Sequence, residues 1–235
     1  MQSSYFELWD KFIVERDKFL SSFEFENQTE KFILVLYARI NSLSEELIFL
    51  AKNSWFTSSQ ILMRSILETY IDLKCLVDDD SFVDVLIQAE RESEIKCLQN
   101  FDSNNKYYGL KYKEYVKNRL EKLNKASNKK ISINMFQKFE KAEELDSYRT
   151  VYNDLCRFTH GNVIALASKH FESGKIKLNK SISNREFTFI LSASINIAIA
   201  SSIEVLEKFS FKKQDISFFR GIIDDVNEIA KKERT

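Results

Sequence analysis

Apolar positions recur every three or four residues along nearly all of this 235-residue chain, the spacing of helices that each bury one face. Phe6, Trp9, Phe12, Ile13, Phe19 and Phe23 place a first helix at about 4–24. Asn27 with Glu30 has the form of a capping box and opens a second helix that runs to about Lys52. A third spans about Thr57 to Val77. The triple aspartate Asp78–Asp80 ends it and, with Ser81, caps a fourth helix to about Phe101. "DSNNK" reads as a loop, a fifth helix covers about 108–126, and a short sixth about 133–144. Asp146 is placed to cap the seventh. Gly161 is a candidate left-handed stop, after which "VIALASKHF" restarts or continues the helix. Ser183 with Glu186 opens a long helix to about Lys208, and Asp215 caps the last. Strand is expected only in "HFESGKIKLN", where Gly174-Lys175 turns a small hairpin.

The pattern predicts an all-α fold, a multi-helix bundle of about eight helices with one small β-hairpin near 168–180. No repeat or compositional break divides the chain. Residues 1–235 read as a single helical domain with its core at 27–208, and the helices at 4–24 and 215–232 packed on that core. Composition agrees: there is no proline and there are four glycines, where average usage would give roughly 12 and 16. Both residues break helices, and tight β-turns need them. Hydrophobic residues make up 44%, enough for a sizeable core.

Charge changes the picture only locally, since the chain is neutral overall. Residues 78–102 hold eight acids and two bases; residues 106–130 hold nine bases and two acids. The basic stretch is interleaved with Tyr107, Tyr108, Tyr112 and Tyr115, a combination that suits phosphate and unpaired bases. It equally suits a solvated helix pairing with the acidic one before it. Cys75, Cys97 and Cys156 lie far apart on apolar helical patterns, as expected of buried thiols in a reducing compartment. The N-terminus lacks the basic start and apolar run of a secretion signal, so a cytoplasmic location is expected. The longest uncharged stretch, Phe187 to Ile203, contains Asn196 and several serines. It reads as a core helix, and no membrane partner is expected.

Two polar stripes carry the candidate chemistry. In the third helix eleven of the 17 residues at 61–77 are apolar and cover nearly its whole circumference, which places it mid-bundle. Yet Arg64, Glu68 and Asp72 recur along one edge. Either an Arg64–Glu68 pair fixes the bundle's register, or the edge lines a polar cleft. In the seventh helix Val151, Leu155 and Phe158 share one face, flanked by Tyr148 and Tyr152. Arg149, Asn153, Cys156 and His160 line up opposite, with Arg157 beside them and Asn162 just beyond. A surface helix can show such a face without a function. Here two arginines, an amide and one of only two histidines share it. Metal ligation by Glu68, Asp72 and His160, and a Cys156–His160 nucleophile, are weaker readings of these residues, so no metal or other cofactor is expected.

The motifs "R-S-x-x-E", at Arg64 to Glu68, and "Y-x-x-L-x-x-x-x-H-G", from Tyr152 to Gly161, resemble an uncharacterised family of bacterial all-α proteins over roughly 30–170. More distantly, the architecture is similar to the HEPN superfamily of dimeric helical bundles. Many of these cut RNA without a metal in toxin–antitoxin and antiphage systems, using an arginine and a histidine with four to six residues between them near the end of a helix. Here Arg157 stands only three positions before His160, so the arginine would come from elsewhere, Arg64 or a second subunit among the candidates. The resemblance implies an RNA-cleaving, toxin-type effector, working as a homodimer with an antitoxin or defence partner. His160, Arg157, Arg64 and Glu68 would be its catalytic residues. Arg149, Asn153, Tyr152, Asn162 and Asp72 would contact substrate. The alternatives are a non-catalytic module recognising a nucleotide, peptide or partner protein, and a purely structural pair of stripes.

Overall fold

A computed structural model describes residues 2–100, 113–125 and 132–233. The described residues are all-α apart from one small hairpin. In chain order the elements are α1 (Gln2–Leu20), α2 (Gln28–Lys52), α3 (Ser59–Asp78), α4 (Phe82–Gln99), α5 (Lys113–Lys125), α6 (Met135–Lys141) and α7 (Leu145–Ser147). A π-helical turn (Tyr148–Tyr152) runs directly into α8 (Asn153–Thr159). Then come α9 (Val163–His170), the strands β1 (Phe171–Glu172) and β2 (Lys175–Ile176), α10 (Asn184–Lys208) and α11 (Lys213–Lys232).

Helix α3 lies in the middle, as its nearly all-round apolar pattern requires. It packs on α2, α10, α8 and α6, and buries Met63, Ile66, Leu67, Tyr70, Ile71, Leu73, Cys75 and Leu76. The outer helices are part of this core rather than additions to it. Tyr5 and Phe12 of α1 and Phe219 and Val226 of α11 are completely buried, in one cluster with Ile66 and Leu191. Full burial of side chains this size contributes about 1.5–3 kcal/mol each, so both termini help to hold the bundle. Between α1 and α2 the buried Arg16 donates to Glu45 (2.6 Å) and Asn41 (3.2 Å).

Local signals for helix starts are partly rewritten. Asn27 caps α2 through the Glu30 amide (2.9 Å), but the Glu30 carboxylate reaches one residue further back, to the Glu26 amide (2.7 Å). Ser183 caps α10 through the Glu186 amide (3.2 Å), but the Glu186 carboxylate accepts from Gln60 and Lys169. Ser81 does not cap α4: Asp79 accepts from both the Ser81 amide (3.0 Å) and hydroxyl (2.6 Å). Asp146 and Asp215 lie inside the first turns of α7 and α11 and cap neither. A full capping box occurs where none was read, Asn134 with Gln137 at α6. Helix α1 ends at Leu20, about four residues short of the expectation. The hairpin turns on Ser173-Gly174, one residue earlier than expected, and both have positive φ (49° and 76°), as a two-residue turn between right-twisted strands needs.

Between α4 and α5, Arg119 grips both oxygens of Glu94 (2.7 and 2.8 Å), an instance of pairing between the basic and acidic stretches. Tyr107, Tyr108, Tyr112 and the "DSNNK" loop lie outside the described residues. Of the cysteines, Cys75 is buried and its thiol is pushed up to about 11, chiefly by burial. Cys156 is half-buried, and Cys97 is exposed, against the expectation for it.

Asp79 gives a pH test of the α3–α4 corner. Hydrogen bonds from Lys141 and Ser81 hold its carboxyl down at about 2. A depressed carboxylate contributes stability that is complete above its unfolded value, near 3.9, and is lost as pH falls through the folded one. Thermal melts should therefore show Asp79→Asn less stable than wild type at pH 5–7, with the gap closing as pH approaches about 2. A carboxyl NMR midpoint for Asp79 near the ordinary value would contradict this.

Candidate functional site

The site forms where α3 passes the end of α8. Its second wall depends on a local departure from α-helical geometry. The wide turn at Tyr148–Tyr152 lets Tyr148 and Tyr152 stack nearly parallel, with centroids 5.3 Å apart and planes at 19°, and both rings pack on the buried Phe139 (5.3 and 5.1 Å). A π-turn adds a residue to the helix and so turns everything after it. Tyr152 is thereby buried against α3, while Arg149 and Asn153 face solvent. Of the stripe read from the sequence, Arg149, Asn153 and His160 are exposed and Cys156 is half-buried.

The far end of α8 is fixed by backbone. Gly161 adopts φ +68°, and the Asn162 amide donates back five residues to the Arg157 carbonyl (3.0 Å), the hydrogen bond of a Schellman stop. Gly161 is suited to that left-handed conformation because it has no Cβ. His160 is the cap residue, held by its own amide on the Cys156 carbonyl (3.0 Å). Its exposed imidazole turns toward α3.

Arg64 is the hub. Its Nε donates to Glu68 Oε1 (2.9 Å), Nη2 to the Tyr152 hydroxyl (3.4 Å), and Nη1 lies 3.2 Å from His160 Nε2. The Tyr152 hydroxyl donates in turn to the same Glu68 oxygen (3.0 Å), and the guanidinium sits 5.5 Å from the Tyr152 ring centroid. A guanidinium can only donate, so His160 Nε2 accepts here and the imidazole proton sits on Nδ1. The Arg64 side chain is 15% exposed and that of Glu68 28%. Burial works against the Arg64 charge, but Tyr152 and Glu68 outweigh it and hold its pKa above the ordinary value. Burial, foremost, raises the Tyr152 phenol, so it stays a donor at neutral pH.

Of the nine residues singled out from sequence, the fold brings together Arg64, Glu68, Tyr152 and His160. The other five stand elsewhere. Asp72 accepts from Lys138 of α6 (2.7 Å), and burial, opposed by Lys138, raises its carboxyl pKa. Arg157 pairs with Asp154 on the exposed side of α8 (3.1 Å). Asn153 reaches only the Arg149 carbonyl (3.5 Å). Asn162 caps α9 through the Ile164 and Ala165 amides (3.1 and 3.2 Å). One flanking group had no sequence signal. Lys169 lies over the Phe158 ring and donates to Glu186, which also accepts from Gln60 (2.6 Å); its parts come from α3, α8, α9 and α10. Among the described residues, no three His, Cys, Asp or Glu side chains gather to hold a metal ion.

Removing Glu68 should leave the Arg64 charge half-buried with weaker partners. Glu68→Ala is expected to cost about 1–3 kcal/mol in urea unfolding, below the fully buried case because both groups keep some water. Tyr152→Phe, which deletes one hydroxyl, should cost about 1 kcal/mol. Equal, near-zero effects would show that the cluster does not hold the α3–α8 contact.

Comparison with known proteins gives one match: residues 30–177 fit a family of unknown function (DUF5677). No curated protein and no solved structure matches the chain. The matched region runs from α2 to the hairpin, covers more than half of the chain, and contains Arg64, Glu68, Tyr152 and His160 alike. By that extent the chain belongs to the DUF5677 family.

Proposed function

We propose that the chain is a HEPN-like, metal-independent RNA-cleaving effector whose reaction takes place at the Arg64–His160 contact. The observation that carries this reading is the 3.2 Å approach of the Arg64 guanidinium to His160 Nε2 at an exposed helix end. An arginine beside an imidazole nitrogen is the pairing that phosphodiester cleavage needs: a fixed cation for the phosphate and a base for the hydroxyl proton. In HEPN enzymes the arginine precedes the histidine on the same helix. Here Arg64 would supply it from α3, since Arg157 points away toward Asp154.

In the reaction, phosphate oxygens enter beside Arg64 and draw Nη1 from His160, freeing the Nε2 lone pair. His160 takes the proton from the ribose 2′-hydroxyl. The 2′-oxygen bonds to phosphorus, the bond to the 5′-oxygen breaks, and that oxygen takes a proton from solvent. The products are a 2′,3′-cyclic phosphate and a 5′-hydroxyl. Arg64 stabilises the charge that grows on the phosphate, and Glu68 and Tyr152 keep its guanidinium in place. The homodimer, an antitoxin or defence partner and a cytoplasmic site of action come with the resemblance.

A second reading is non-catalytic recognition of an anionic group on a nucleotide, peptide or partner protein. It is favoured by the engagement of Arg64 with Glu68, Tyr152 and His160 at once, which suits a rigid anion receptor.

Incubation of purified protein with single-stranded RNA in EDTA separates the two. Cleavage leaving cyclic phosphate ends, reduced by about 10²-fold or more in His160→Ala and in Arg64→Ala, supports the nuclease. RNA retained without cleavage, with affinity lost in Arg64→Ala, supports the receptor. Cleavage undiminished in His160→Ala rejects the proposed site.

A further inference from the structure

Single apolar side chains left in water are ordinary on a protein surface, but contiguous groups of them are not. Six large ones stand exposed within residues 163–178: Val163 (78%), Ile164 (77%), Leu166, Phe171, Ile176 (71%) and Leu178 (83%). They belong to α9 and the hairpin that follows it without a break. Phe171 faces Ile176 across the two strands, so both side chains leave the same side of the hairpin. Leu178, two residues on, lies in the bend beyond β2 and is also exposed. Thr57 donates to the Leu178 carbonyl (3.3 Å), which ties this edge to the loop bearing Trp55, itself 59% exposed.

The same stretch is basic. Residues 163–185 contain five bases, Lys169, Lys175, Lys177, Lys180 and Arg185, and one acid, Glu172. Lys169 is occupied by Glu186, and Lys180 donates to the Ser168 and Phe171 carbonyls. Among the described residues, Lys175, Lys177 and Arg185 take part in no ion pair. Lys175 and Lys177 alternate with Ile176 and Leu178, so their long stems can reach past the apolar face and keep their charge at its margin.

We propose that α9 and the hairpin form a docking surface for an anionic lipid membrane. The aliphatic side chains would enter the boundary between headgroups and acyl chains, and the lysines would meet headgroup phosphates. Charge and side-chain type select this occupant. A second copy using the same patch would set the unpaired Lys175, Lys177 and Arg185 against the same three bases, a repulsive arrangement. Nucleic acid would use the charge but not the side chains, because five of the six apolar groups are aliphatic and bases stack on rings. The proposal departs from the sequence expectation of no membrane partner, and it does so for a peripheral contact. The one described helix long and apolar enough to cross a bilayer is α10, and 61% of its apolar window is buried within this fold.

Flotation of the full chain with phosphatidylcholine vesicles, with and without phosphatidylglycerol, tests the assignment. The protein should float with the anionic vesicles, stay behind with the neutral ones, and be released by high salt. A triple variant, Ile164→Ser with Ile176→Ser and Leu178→Ser, should lower the bound fraction about tenfold or more, as should Lys175→Glu with Lys177→Glu. All five positions are exposed, so unchanged melting curves would show that each variant is folded. No flotation with anionic vesicles overturns the proposal. So does flotation unchanged in both variants, which would place the contact elsewhere. Wild-type protein that sediments as a dimer, and as a monomer in the serine variant, would make the patch a self-interface and overturn it as well.

Discussion

A positive charge that cannot be given up sits against the middle helix of this bundle, and much else follows from where its hydrogen bonds go. Arginine stays protonated at any pH a cell reaches, so Arg64, 15% exposed, must be compensated in place. Glu68 supplies the charge from the same helix, and Tyr152 supplies a hydroxyl from the neighbouring one. Because Tyr152 bonds both partners, α3 and α8 share a polar seam within an otherwise apolar contact. Only Nη1 is left near the surface, and that is the nitrogen facing His160. The structural and functional readings of the stripe are thus not exclusive: the pair that fixes helix register also aims the guanidinium.

Much of this was legible in the sequence, for identifiable reasons. Helix number and order follow from apolar spacing and the lack of proline, both local properties. The central place of α3 follows from its apolar circumference, and the Arg64–Glu68 pair from a four-residue interval on one helix. Asn27, Ser183 and Gly161 act as read, because caps and left-handed stops depend on neighbours a few residues away. The motifs linking Arg64 to Glu68 and Tyr152 to Gly161 fall inside the family match.

What the sequence hid was long-range or irregular. Asp72 finds Lys138, 66 residues on, across a packing contact that no periodicity encodes. Asp79 turns its carboxylate onto the Ser81 amide and hydroxyl, and α4 starts without a side-chain cap. The reading of the seventh helix assumed 3.6 residues per turn throughout and had no signal for the π-turn at Tyr148–Tyr152, although Arg149 and Asn153 face solvent and Tyr152 the core as the apolar pattern implied. Aromatic stacking on Phe139, from a different helix, accompanies the wider turn.

That wide turn makes chain length itself part of the chemistry. Were Tyr148–Tyr152 wound as ordinary α-helix, no polar group of the cluster would be lost. Every side chain beyond the turn would then swing by about 100° and slide about 1.5 Å along the axis. The imidazole would leave the guanidinium and point along another side of the bundle, with all four polar residues still present. In this fold an arithmetic of spacing, as well as a choice of side chains, decides whether arginine and histidine meet.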